Sequence, residues 1–211
     1  MNNLKRSFKK RAKGVLLAAA FIFVLTAFSF GTFSYVDPTG AAALGGGDGS
    51  TYENAIEISS AAQLKTLADN VNGGNTYEGK YIKLMDDIDL SAYGAAFDGG
   101  MGWTLIGNTL NSFDGLFDGN NHTVSNLYIN HPNEESIGLF GFIGWSGEVK
   151  NLGITSGSVS DGLYVGGIAG YNYGTIENCY NTGDVSGNNY VGGIAGVNYD
   201  TIENCYNTGD V

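Results

Sequence analysis

Past Lys80 the apolar residues arrive in short runs cut by turn-forming pairs, and none keeps a helical spacing for long. "KYIKLMDDIDLS" carries Tyr81, Ile82, Leu84, Ile88 and Leu90, and "DGGMGWTLIG", "FDGLFDGNNHTVSNLYI" and "SIGLFGFIGWSGEVKNLGI" continue in the same manner. Short strands bounded by Asp-Gly and Asn-Asn predict an all-β body. One stretch breaks the rule. In "ISSAAQLKTLADNVNGG" the residues Ala61, Leu64, Leu67, Ala68 and Val71 recur at three and four positions, the spacing of one helix face. Ser60 with Gln63 reads as a capping box and Gly73 as a stop, so a helix is expected over about residues 60–72. A single amphipathic helix must lay its stripe on a neighbour, and the open end of a stacked array supplies one.

The pattern also repeats. Residues 165–185 and 191–211 differ only at Tyr171 against Val197 and Gly174 against Asp200, and Gly167 to Gly193 sets a period of 26 residues. A fixed period in this range predicts stacked supersecondary units. Fainter copies come from aligning Val124-Ser-Asn126-Leu127, Val149-Lys-Asn151-Leu152, Ile176-Glu-Asn178-Cys179 and Ile202-Glu-Asn204-Cys205. Gly115-Leu116-Phe117, Gly138-Leu139-Phe140, Gly167-Ile168-Ala169 and Gly193-Ile194-Ala195 precede them in turn. Within Val149, Leu152 and Ile154 the apolar step is three and then two, which demands a corner at Asn151. Asparagine tolerates the left-handed backbone of such a corner. Asn126, Asn151, Asn178 and Asn204 are therefore expected in one column, bonding to one another as a structural ladder. Each short strand leaves its edges open, so the next unit is the contact that stabilises it.

Charge divides the chain in two. Residues 1–35 hold six Lys and Arg and no acid, whereas residues 36–211 hold all 21 acids against four lysines, a net −17. An acidic body without arginine repels phosphate backbones, which excludes nucleic acid as a partner. The basic start runs into "GVLLAAAFIFVLTAFSFGTFSY", so residues 1–35 read as a signal peptide or, uncleaved, a signal anchor, with cut sites after Ser29, Ser34 or Ala43. Membrane contact is expected only through that leader. Residues 36–54 follow as a Gly-rich linker, 55–112 as an N-terminal cap holding the helix and first strands, and 113–211 as repeats with the last one incomplete. The pattern breaks off without a closing unit, which predicts a fragment of a longer chain.

Few residues suggest chemistry. His122 and His131 lie in turn-like flanks and lack the one-turn spacing of a zinc peptidase. Asp86, Asp87, Asp89, Asp114 and Asp118 supply acids but no neighbouring base, so no catalytic residue, resident metal or cofactor is expected; Asp87 and Asp89 are retained as weak calcium candidates. Cys179 and Cys205 occupy equivalent places in two repeats, either as a disulfide or as buried thiols filling the slot of Leu152. Tyr164, Tyr173 and Tyr180 recur as Tyr190, Tyr199 and Tyr206, so stacking would set them in columns. Such columns serve either to bind glycans and host or cell-surface proteins or to pack on themselves.

"GLFGFIGWSGEVKNLGI" and "VGGIAGYNYGTIENCYNTGDVSG" resemble the GLUG-motif repeats of bacterial secreted and surface proteins, and the upstream "AIEISSAAQLKTLADNVNGG", "YIKLMDDIDLS" and "WTLIG" are similar to the segment that precedes them. The likeness covers residues 51–211. It implies a right-handed parallel β-solenoid (β-helix) behind a short capping helix, secreted or held at the cell surface. The family identifies architecture better than activity; with no catalytic residues expected, the leading expectation is a non-catalytic adhesion or spacer role, and the alternative is an accessory repeat region of a secreted peptidase or polysaccharide-degrading enzyme, since related repeats occur in non-catalytic regions of IgA-cleaving metallopeptidases.

Overall fold

A computed structural model describes residues 42–211. The leader of residues 1–35 and the start of the linker lie outside the described residues. The rest is all-β with one α-helix, and its strands are arranged in sheets of almost wholly parallel pairing.

The longest sheet orders the strands Gly45–Gly46, Ile56–Ile58, Tyr81–Leu84, Leu116–Asp118, Glu148–Lys150, Thr175–Glu177 and Thr201–Glu203. Only its first pair is antiparallel. A five-stranded sheet joins Ile88–Asp89, Thr123–Ser125, Gly153–Ile154, Tyr180–Asn181 and Tyr206–Asn207, and three further sheets have three strands each. Between the last two repeats the register is Ala169↔Ala195, Ile176↔Ile202 and Tyr180↔Tyr206, an offset of 26 residues throughout. Strands too short to stand alone thus gain both neighbours from adjacent repeats.

The core follows from that register. Ile56, Ile82, Phe117, Val149 and Ile176 form one inward column, and all five are buried. Ile202 continues the column yet is 36% exposed, because no described strand covers it. The residues flanking each inward position point away from it, though Asp118 among them is covered, accepting from Tyr52, Asn120 and Asn151. In the long sheet they read Glu57, Lys83, Asp118, Lys150, Glu177 and Glu203, so charges alternate up the column until the last two. Opposite charges directly across a strand pair stabilise it and like charges do the reverse, so this column favours one register over its slips.

The helix α1 (Ala61–Asn72) connects the parallel strands Ile56–Ile58 and Tyr81–Leu84. Ser60 Oγ accepts the Gln63 N–H at 3.3 Å, and Gln63 Oε1 accepts the Ser59 N–H at 2.7 Å. Leu64, Leu67, Ala68 and Val71 are buried in the same core as Trp103, Ile106 and Phe113.

The first repeat sits in another register than the letter alignment suggests. Val124 pairs with Ile154, while Val149 pairs with Phe117. Asn126 therefore stands beside Ser156, and the place below Asn151 belongs to Gly119. Likewise Leu116 pairs with Glu148, so Gly115-Leu116-Phe117 is no counterpart of Gly138-Leu139-Phe140, beneath which Ile106 bridges to Phe140. The reason is chemical. Asn126 also turns a corner, with φ +57°, so two different corners carry the same apolar-x-Asn-apolar pattern. The parallel stack also reaches below residue 113, through Ile82 to Ile56.

Candidate functional site: an aromatic wall on in-register repeats

Parallel in-register strands place equivalent side chains about 4.8 Å apart, close to the distance at which aromatic rings stack. Tyr173 and Tyr199 lie 4.6 Å apart and 10° from parallel, and Tyr164 and Tyr190 lie 5.3 Å apart at 22°. Tyr171 links the two columns, 4.6 Å from Tyr164 and 6.1 Å from Tyr199. Phe142 stacks on Tyr171 at 5.5 Å and on Tyr173 at 5.3 Å, and Trp145 tilts over Tyr173 at 4.8 Å. Seven rings form one continuous wall. Burial first, and the Tyr164 hydroxyl second, push the Tyr171 phenol above its usual range.

Four of the six expected tyrosines belong to this wall. Tyr180 and Tyr206 do not, forming a separate pair at 5.3 Å and 6° in the five-stranded sheet. Phe142, Trp145 and Tyr171 escaped the sequence reading. Recurrence in the last copy does not reveal them, because Val197 replaces Tyr171 there, although Phe142 and Tyr171 share a column. Stacking also decides what the wall can offer. Ring faces inside the columns are covered by other rings, which leaves edges, hydroxyls and the outermost faces. Trp145 is 74% exposed and Tyr190 and Tyr199 are each 59% exposed.

The asparagines of the repeats divide into two kinds. Asn151, Asn178 and Asn204 succeed one another in register, each with φ near +53°. Their side chains do not bond to each other: Asn151 Nδ2 donates to Asp118 at 3.0 Å and Asn178 Nδ2 to Glu177 at 3.0 Å. Asn126 is elsewhere, donating to Asp89 at 2.9 Å. The bonded ladders are Asn172 to Asn198 at 2.7 Å and Asn181 to Asn207 at 2.8 Å. Asn172 and Asn181 are buried where the repeat below has Ile143 and Ile154. Each accepts the N–H of the glycine two residues on and donates to that glycine's carbonyl. A buried amide so satisfied costs little, whereas an orphaned one costs about 1–3 kcal/mol.

Asp87 and Asp89 are already engaged. The Thr123 N–H donates to Asp87 at 2.8 Å and His122 lies 3.3 Å away, which together hold its carboxyl below the usual range. Asn126 and the Ser91 N–H do the same for Asp89. Among the described residues no three His, Cys, Asp or Glu side chains converge as metal ligands.

Cys179 and Cys205 are free thiols stacked above Leu152, and Cys205 Sγ accepts the Cys179 N–H at 3.3 Å. The Cys205 thiol beside it, together with burial, pushes Cys179 up. Hydrogen bonding from Cys179 brings half-exposed Cys205 down to about 7.

Residues 161–186 and 187–211 each match the GLUG motif. The chain carries GLUG repeats. Beyond them, 172 residues are 35% identical to a candidate Gly-rich membrane protein of Evansella cellulosilytica, covering 80% of this chain and 19% of that relative. Another 155-residue match, 36% identical, is to halomucin of Haloquadratum walsbyi and covers 72% of this chain and 2% of the relative. The chain therefore spans a small part of the curated relatives it matches. The GLUG repeats and the segment before them also share their fold with a crystal structure from Bacteroides ovatus named as a candidate immunoglobulin A1 protease. That likeness has a TM-score of 0.56 and 22% identity over 86% of this chain and 64% of the other.

Proposed function

We propose that the chain is a right-handed parallel β-solenoid that works without catalysis, as an adhesion or spacer module outside the cell. The observation that carries the reading is the wall of seven aromatic rings, held by strands that cannot shift without breaking the stack. Right-handed winding is the hand that twisted parallel strands favour when joined by crossovers. Names of relatives, a Gly-rich membrane protein and halomucin, support a surface or secreted placement.

The wall suits glycans or host and cell-surface proteins, since tyrosine hydroxyls and ring edges meet sugar hydroxyls and peptide groups alike. Trp145 adds an open ring face. Replacing Tyr173 and Tyr199 by Ser, and separately Trp145 by Ala, should weaken attachment of chain-coated beads to immobilised glycans or host proteins. The circular dichroism spectrum should stay predominantly β. Attachment unchanged in both variants would leave the spacer role alone. A second reading, an accessory repeat region of a secreted hydrolase, draws on the fold shared with the Bacteroides ovatus chain. A hydrolase segment in the same polypeptide would decide for it.

A further inference from the structure

Below the aromatic wall, the lowest repeats enclose a polar groove of about 250 Å³ bounded by Leu105, Asn108, Thr109 and residues 133–136. It shares Leu105, Asn108 and Glu134 with a second hollow of about 100 Å³ that also touches Asn72, Thr104, Gly107 and His131. One lip is an insertion. Five residues separate Asn130 from Ser136, where the next repeat needs only three between their partners Ser160 and Tyr164.

The floor is rigid and its polar groups are engaged. Asn72, at the end of α1, donates to the Leu105 carbonyl at 2.8 Å and accepts the Gly107 N–H at 3.1 Å and the Asn108 amide at 3.2 Å. Asn108 Oδ1 in turn accepts the N–H groups of Leu110 and Asn111. Gly107 holds φ +80°, and a side chain there would meet the Phe142 carbonyl at 2.6 Å. The rim is the opposite. Among the described residues no hydrogen bond ties the Thr109, Asn133, Glu134 or Glu135 side chain. Ser136 is 94% buried by its 6% exposure, and its Oγ has no partner. A buried hydroxyl left unpaired is costly, and in native proteins it calls for a partner that completes it, a water, an ion or a ligand.

We propose that this groove is a binding site for a single sugar unit, neutral or amine-bearing. At about 250 Å³ the groove falls below the roughly 300–1,000 Å³ of ligand pockets, and with the hollow of about 100 Å³ it reaches only the small end of that range, which suits one sugar ring and no more. The rim offers two carboxylates, an amide and hydroxyls, with no lysine or arginine among the lining residues. Carboxylates and amide oxygens accept from sugar hydroxyls or an ammonium group, and the same carboxylates repel a uronic or sialic acid. Leu105 gives an apolar patch for a ring face. Ser136 is paired with Tyr164, which is paired with Tyr190, so the groove adjoins the aromatic wall at that step.

The site is separate from the wall, and it stands or falls independently of the adhesion reading. Titration calorimetry of the full chain with the trimers of glucosamine, N-acetylglucosamine and galacturonic acid tests it. One or both of the first two should bind, and which of them binds distinguishes the amine-bearing from the neutral ligand; the galacturonate trimer should not. Ser136→Ala should weaken binding about fivefold, the share of one hydrogen bond, and the pair Asn133→Ala with Glu135→Ala at least about tenfold. Tyr173→Ser with Tyr199→Ser should leave it unchanged. The proposal is overturned by no binding of either accepted trimer at about 10 mM, the weak end of measurable affinity. Equal binding of galacturonate, or rim variants with unaltered affinity and an intact β spectrum, would also overturn it.

Discussion

The Asn181 amide donates to Asn207 Oδ1 at 2.8 Å while its own oxygen accepts the Gly183 N–H at 3.0 Å. One side chain thus closes the turn of its own repeat and joins it to the next. Asn172 does the same work on another side of the stack. The corner asparagines, by contrast, contribute mainly their tolerance of positive φ.

Two asparagines of the same repeat should therefore behave differently. Asn181→Ala leaves the Gly183 N–H and carbonyl and the Asn207 oxygen without their partner, and it should cost about 2–4 kcal/mol. Asn178→Gly keeps the left-handed corner and should cost well under about 1 kcal/mol. Urea unfolding of the two variants measures the difference, and equal losses would remove the distinction.

The charge column makes a prediction with a gain. Glu203 stands directly above Glu177, which stands above Lys150. Glu203→Lys restores alternation and should stabilise the chain by about 0.2–1 kcal/mol at low salt. The gain should shrink in 1 M salt, where screening acts within roughly 3 Å. A melting temperature that is unmoved or lowered at low salt would count against a register role for the column.

The cysteines predict ordered labelling. The thiolate is the reactive form, and a thiol lowered to about 7 gains it as pH rises through 7, so iodoacetamide should modify Cys205 increasingly across that range. Cys179, buried and pushed up, should stay protected until denaturant is added. Mass spectrometry after timed labelling at pH 6, 7 and 8 checks both; Cys179 reacting first would contradict the stacking, and these pH values bracket the about 7 of Cys205.

Ser136→Ala offers a test in the absence of ligand. Removing a buried hydroxyl that has no partner should leave stability unchanged or raise it by about 1 kcal/mol. A loss of that size in thermal unfolding would mean the hydroxyl is bonded.

Much of the architecture can be read from letters because the repeat encodes it. The helix, its Ser60–Gln63 cap, the short strands and the 26-residue step are local patterns, each with a local cause. The aromatic wall was only partly legible: recurrence identified Tyr164, Tyr173, Tyr190 and Tyr199, grouped Tyr180 and Tyr206 with them, and passed over Phe142, Trp145 and Tyr171. Recurrence reports that residues share a column, but it does not report which columns are neighbours.

By itself the sequence determined the period, the kinds of element and the inward-facing letters, since these depend on neighbours a few residues apart. Register in the diverged first repeat, the choice of Asn172 and Asn181 over the corner asparagines as ladders, and the groove beside Ser136 were decided only by tertiary structure. Each depends on which strands lie side by side across some 26 to 32 residues of chain. Identical local patterns at different corners satisfy the backbone equally well, and only packing of whole repeats selects between them.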